Sequence, residues 1–177
     1  MVEEAADLGA DGIVGVRLEV KGFGSRAHTA EFLSVGTAVR KRNGSTARGR
    51  PFTSDLTGQD FWALLRAGKL PVGLVMGSCV YAVTFRGPVG AFNQAWRNVE
   101  LPLYTQALYD ARELAMTRMQ REAADLGADG IVGVGLTEHG HGWGGRIVEF
   151  FAIGTAIVHD HSIEPGPSPA AVIDLSR

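Results

Sequence analysis

The chain of 177 residues has a single cysteine, Cys79, so it closes no disulfide within itself. A small fold held by cystines is excluded, and a reducing compartment is expected. It also lacks a charge of one sign. The formal net charge is -2, which leaves no global basic field to gather nucleic acid. Long hydrophobic runs are missing too, and none reaches the length of a membrane span. The opening residues are acidic and unlike a secretory signal, so a cytoplasmic location is expected. No nucleophile–base pair or metal triad can be placed, and no enzymatic activity is expected.

What the chain does have is a repeat. Residues 4–16 read EAADLGADGIVGV, and residues 122–134 read the same. The offset of 118 persists where Glu31-Phe32 meets Glu149-Phe150 and where Gly36-Thr37-Ala38 meets Gly154-Thr155-Ala156. In the second copy Leu108, Ala111, Ala115, Met119 and Leu126 share one stripe at helical spacing, with charged residues elsewhere. This predicts a helix from about Leu103 to Leu126. Pro102 sits near its first turn, and Gly127 suits the left-handed position that ends a helix. Ile131–Val134 and Arg146–His159 read as strands joined by a glycine-rich loop, hence a hairpin. These glycines do not read as a phosphate cradle. Such a loop runs from strand to helix, whereas here the glycines follow the negative end of a helix.

The first copy begins mid-unit, with a helix end at 2–8 and strands at Ile13–Val20 and Thr29–Arg40. Three explanations fit: a start further upstream, an excised fragment, or a partial copy that docks onto the complete one. A lone hairpin is marginal in water, so its apolar face needs cover. Residues 41–51 are basic and polar, and read as a solvated linker without the aromatics of a base-stacking arm. Thr53, Ser54, Asp55 and Thr57 offer caps for a short helix ending at Gly68. Pro71–Arg86 is apolar on both faces and predicts a strand buried on both sides or in an interface. Residues 88–100, with Phe92 and Trp96, read as an irregular connection or short helix. The expected organisation is a partial repeat over 1–41, a linker over 42–52, a complete unit over 53–160 and a flexible tail over 161–177.

Candidate metal ligands are His139 and His141 in the hairpin loop, His159 and His161 past the last strand, and Cys79. Spacing of two puts each His pair on one face of an extended segment. Four imidazoles would suit a zinc-type ion if the pairs met. Against this, a strand of about a dozen residues at roughly 3.3 Å each separates them. The first copy also carries Lys21 and Phe23 at the positions of His139 and His141. Surface histidines are the simpler reading. Cys79, mid-strand among apolar residues, reads as a small buried hydrophobe. The carboxylates Asp11/Asp129, Glu4/Glu122 and Glu31/Glu149 read as structural, because Asp before Gly is turn chemistry. Glu149 is expected to point outward or to pair with an arginine such as Arg146. Trp62, Trp96 and Trp143 read as packing or interface residues, Trp143 being the best candidate for an exposed contact.

A strand like VGLVMGSCVYAV, a long helix ending REAADLGADGIVGV and a strand closing IGTAIV together resemble the YbjQ-like family, an uncharacterised group with a heavy-metal-binding label. The resemblance spans 72–159, with 4–40 as a partial second copy. It implies an α+β fold (YbjQ/dodecin-like). The unit would be strand–long helix–strand–strand, with one antiparallel sheet packed on one helix. It also implies homo-oligomeric rings, pentamers by similarity, so the expected partner is the protein itself, with neither membrane nor nucleic acid. No cofactor is expected beyond a divalent metal held by the His pairs or Cys79 at subunit interfaces. Two functions compete: a non-enzymatic binding or scaffold module, and a heavy-metal or small-ligand binding protein.

Overall fold

The structure, a computed structural model, describes residues 1–22, 30–41, 50–82, 100–141 and 147–160. The tail 161–177, most of the basic linker, residues 83–99 with Phe92 and Trp96, and Trp143 and Arg146 lie outside the described residues. The elements run α1 (Val2–Asp7), β1 (Gly12–Gly22), β2 (Ala30–Val39), β3 (Phe52–Thr53), α2 (Gly58–Arg66), β4 (Lys69–Ala82), α3 (Glu100–Asp125), β5 (Gly130–His141) and β6 (Ile147–His159). They form two sheets, ordered β2-β1-β3 and β4-β6-β5, with α3 packed on the second. The fold is α+β.

The repeated thirteen residues build the same backbone twice. At the end of α3 the Gly127 N–H donates to the Ala124 carbonyl and the Ala128 N–H to the Ala123 carbonyl. At the end of α1, Gly9 and Ala10 donate likewise to Ala6 and Ala5. This pair of bonds needs a left-handed residue, and Gly9 and Gly127 both have φ 66°. Gly15 and Gly133 also have positive φ, at matching shifts of register in the β1–β2 and β5–β6 ladders. An extra residue in left-handed geometry is how a glycine bulge bends a strand. The closing turn repeats as well. Asp11 Oδ2 accepts from the Lys41 N–H (2.6 Å), and Asp129 Oδ2 accepts from the His159 N–H (2.8 Å).

The main core lies between α3 and the second sheet. Ala107, Ala111, Ala115, Met119 and Ala123, spaced by four, are buried along the helix. Val75 and Cys79 of β4 and Val148, Phe150, Ala152 and Ala156 of β6 face them. Small residues let the helix come close. A Cβ at Gly77 would fall on the Ala115 carbonyl oxygen and 2.6 Å from the Met119 nitrogen. The predicted stripe is therefore right in direction but ends differently, since Leu126 is 39% exposed.

Of the two expectations for this strand, burial on both sides or in an interface, β4 corrects the first. Its odd positions from Pro71 to Cys79 are buried, Val75 and Cys79 among them in the core under α3, but Ser78, Val80 and Tyr81 are exposed. Among the described residues, the other face of the second sheet is covered near one end, by the first unit and by α2. There Leu74 packs on Ala5, Ala10, Ile13 and Val16, and Leu56, Leu64 and Phe61 pack on Ile157 and Val132.

Candidate functional site

The two units meet at a segment that reads, in sequence, as a helix cap. Only Thr57 caps α2, its Oγ1 accepting from the Asp60 N–H (3.2 Å). Residues 52–56 lie along the outer edge of β1 instead. Ser54 N donates to Ile13 O, Val16 N to Ser54 O and Gly15 N to Leu56 O, each at 2.9 Å. Ser54 and Thr155 are fully buried. Thr155 Oγ1 donates to Asp55 Oδ1 (2.6 Å), which uses its one proton. The Ser54 hydroxyl, 2.9 Å away, must therefore donate to Thr155, while Ser54 Oγ accepts from the Leu56 N–H (3.2 Å). Among the described residues no buried side-chain polar atom is unsatisfied. The network locks the units in one register.

The metal candidates separate along the second sheet. The backbone register sets His139 opposite Glu149 and His141 opposite Ile147, at one end of the β5–β6 hairpin. His159 sits at the other end, opposite Lys69, with its Nδ1 3.2 Å from Asp129 Oδ2. His161 lies outside the described residues. Cys79 is 5% exposed in the core beneath α3. Among the described residues, no three His, Cys, Asp or Glu side chains come together as a metal would need. Glu149 is half-buried. Glu122 Oε2 accepts from the Met76 N–H (2.6 Å), and Arg118 Nη1 donates to the Ser78 carbonyl. These two side chains of α3, with Thr53 Oγ1 accepting from Leu74 N (3.0 Å), blunt the free edge of β4. Glu4, the counterpart of Glu122, instead meets the Met1 ammonium at 2.9 Å. The hydrogen bond and the charge of that ammonium hold its carboxyl below the usual value.

Among the described residues, two exposed apolar surfaces stand out. One is a groove between α3 and the edge strand β5, with two hollows of about 380 Å³ each. Leu108, Tyr109, Leu136 and Phe150 line the first, and Met116, Ile131 and Val134 the second. The other is β2. Its Phe32 is 79% exposed, whereas Phe150, at the same place in the repeat, is 6% exposed. The pattern of residues does not distinguish the two strands. Only their neighbours do, because β6 has β4 beside it and α3 above it.

Trp62 is exposed on α2. No helix among the described residues is long and apolar enough to cross a membrane.

Comparison with known proteins agrees with this layout. The YbjQ family model, described as "Putative heavy-metal-binding", matches residues 1–42 and 69–160 and leaves out the segment that joins them. The encapsulin nanocompartment protein Rv1762c of Mycobacterium tuberculosis is 47% identical over 161 residues, or 89% of this chain. The chain spans 62% of the length of that relative. A UPF0145 protein of Halorubrum lacusprofundi is 40% identical over 97 residues, which is 51% of this chain and 88% of that protein. One of Methanococcus maripaludis is 32% identical over 110 residues, covering 62% of this chain and 96% of its own length. With both copies of the repeat inside the matched segments, the chain belongs to the YbjQ family.

Proposed function

We propose that the protein is a non-enzymatic scaffold or binding module that works as a homo-oligomer, with the complete unit over 53–160 as its assembling part. The observation that carries this reading is the α3–β5 groove. Val134, Leu136 and Tyr109 are exposed along it. Apolar surface of this kind, next to a strand edge, favours association with another copy. Closed rings are the form such copies take when one patch meets a different patch and the rotation closes. A pentameric ring is the arrangement the family likeness suggests. The name of the Mycobacterium relative, an encapsulin nanocompartment protein, supports a role within a larger assembly. Light scattering at micromolar concentration is the test. An oligomer that Val134→Glu with Leu136→Glu converts to monomer supports the reading, and a monomeric parent protein sinks it.

Heavy-metal or small-ligand binding is the second reading. The family description favours it, and so does the exposed His159–Asp129 pair. The oligomer would have to unite His139, His141, His159 and His161, or Cys79, from neighbouring subunits. Titration with zinc, copper and nickel decides the matter. Equal weak binding by the parent and by the variant with all four histidines changed to alanine ends this reading.

A further inference from the structure

We propose that the α3–β5 groove of one copy takes up Leu74 and the segment Phe52–Leu56 of a second copy, in competition with that copy's own first unit. This rests on reading the protein as a homo-oligomer, and names what enters the groove.

The contact between the two units supplies the template. In the first unit Ala5, Ala10, Ile13 and Val16 are buried, with Leu74 of the second unit packed against them. Phe52 and Thr53 pair in parallel with Gly12 and Ile13 along the outer edge of β1. The Ile13 carbonyl accepts there from the Ser54 N–H, and the Gly15 and Val16 N–H groups donate to the Leu56 and Ser54 carbonyls. Phe52 lies over Gly12, where a Cβ would overlap its ring.

The counterparts in the second unit are Ala123, Ala128, Ile131 and Val134, set in the identical run of thirteen residues. All four line the second hollow of the α3–β5 groove, of about 380 Å³. Val134 is 44% exposed where Val16 is 2% exposed. β5 is an edge strand, and among the described residues it pairs with β6 alone. Gly133 has the left-handed φ of Gly15, 66° against 64°, so the two edges share their backbone geometry. A Cβ at Gly130 meets Ile157 at an ordinary 3.9 Å, so the place that Phe52 takes over Gly12 is open here.

The same residues thus receive Leu74 and Phe52–Leu56 once within the chain, and offer the same seat a second time. Within one chain this donor cannot fill both seats, because it lies along β1 and is bonded to Thr155 through Ser54. A second copy fills the groove by releasing the donor from its own first unit. Donor and acceptor are different surfaces, so the contact can repeat from copy to copy. The first unit holds the donor more firmly. Arg17 Nη1 also donates to the Asp55 carbonyl (2.8 Å), and the counterpart of Arg17 is Gly135. The covalent tether adds a high local concentration. Assembly therefore grows as the first unit lets go.

Two matched substitutions in the full chain test this. Gly12→Ala presses on Phe52 and loosens the first unit, whereas Gly130→Ala fits its own unit and presses on the incoming Phe52. Analytical ultracentrifugation measures association between copies. Hydrogen exchange at the Gly15 and Val16 amides reports release of the first unit, and at Phe150 to Ala156 the folding of the second. Gly12→Ala is expected to tighten association roughly tenfold or more, and added Gly130→Ala to remove the gain. Ile13→Asp, at a 2% exposed position, is the stronger release variant should Gly12→Ala leave the Gly15 and Val16 amides slow. Amides that stay slow in both variants overturn the proposal, because the donor is then not exchangeable. Faster amides without tighter association overturn it, and so does tightening that Gly130→Ala leaves in place. The unmodified chain keeps the two readings apart. A monomer there sinks homo-oligomeric assembly of the protein as it stands, while the released variants still decide this contact. An oligomer there that gains nothing on release leaves that reading standing and overturns this one.

Discussion

Phe32 and Phe150 offer a controlled experiment within one molecule. They occupy the same place in the repeat, and each follows a glutamate, yet their exposures are 79% and 6%. Phe150→Ala removes a ring packed among Ala111, Ala115 and Val148, and leaves a cavity that a helix–sheet core closes poorly. The expected cost is ~3–5 kcal/mol, the range for a fully buried ring. Phe32→Ala removes a ring that already meets water. Its expected effect is about 0.5 kcal/mol or less. The contrast of ~3 kcal/mol is a large share of the 5–15 kcal/mol that holds a typical domain. Urea unfolding followed by circular dichroism measures both, and the slope should stay unchanged while the midpoint moves. In a chain of this size each kcal/mol is worth roughly 2–4 °C of melting temperature, so thermal melts should separate the variants clearly. Equal losses in the two variants would refute the reasoning, because β2 would then be covered in solution by something that the single chain does not supply.

Three further outcomes follow from the packing. Gly77→Ala should cost ~1–3 kcal/mol or more, since the new methyl meets backbone atoms of α3, while Gly58→Ala, with open space around it, should be close to neutral in the same urea titration. Thr155→Val should lose ~1–3 kcal/mol, because it strips Asp55 and Ser54 of a buried partner, whereas Thr37→Val at the exposed equivalent should change the midpoint little. Cys79 should react with a thiol reagent only as fast as the core opens, and rapid labelling of the native protein would contradict its place beneath α3.

Much of the fold was legible before any coordinates. The helix end, its glycine stop and the two strands after it followed from the spacing of Ala111, Ala115 and Met119, from Gly127, and from the branched run Ile131–Val134. These features are local: a left-handed turn and a period of apolar residues act within a few positions. The identical thirteen residues could be trusted to build the same backbone twice for that reason. The candidate site was less legible. Ser54 and Asp55 look like helix caps in sequence, because small polar residues before a helix usually are. Their partner Thr155 stands about a hundred positions away, and no local pattern announces it.

The sequence alone determined the handover from helix through glycine to hairpin, twice over, because backbone conformation there depends on the residue and its near neighbours. It also set the family likeness. Only the tertiary structure decided that Phe150 is core and Phe32 is surface, that β4 is buried on one face, and that residues 52–56 join the two units. Burial belongs to the neighbours a strand acquires, and the strand that covers β6 lies far from it along the chain, while β2 has none beyond it among the described residues.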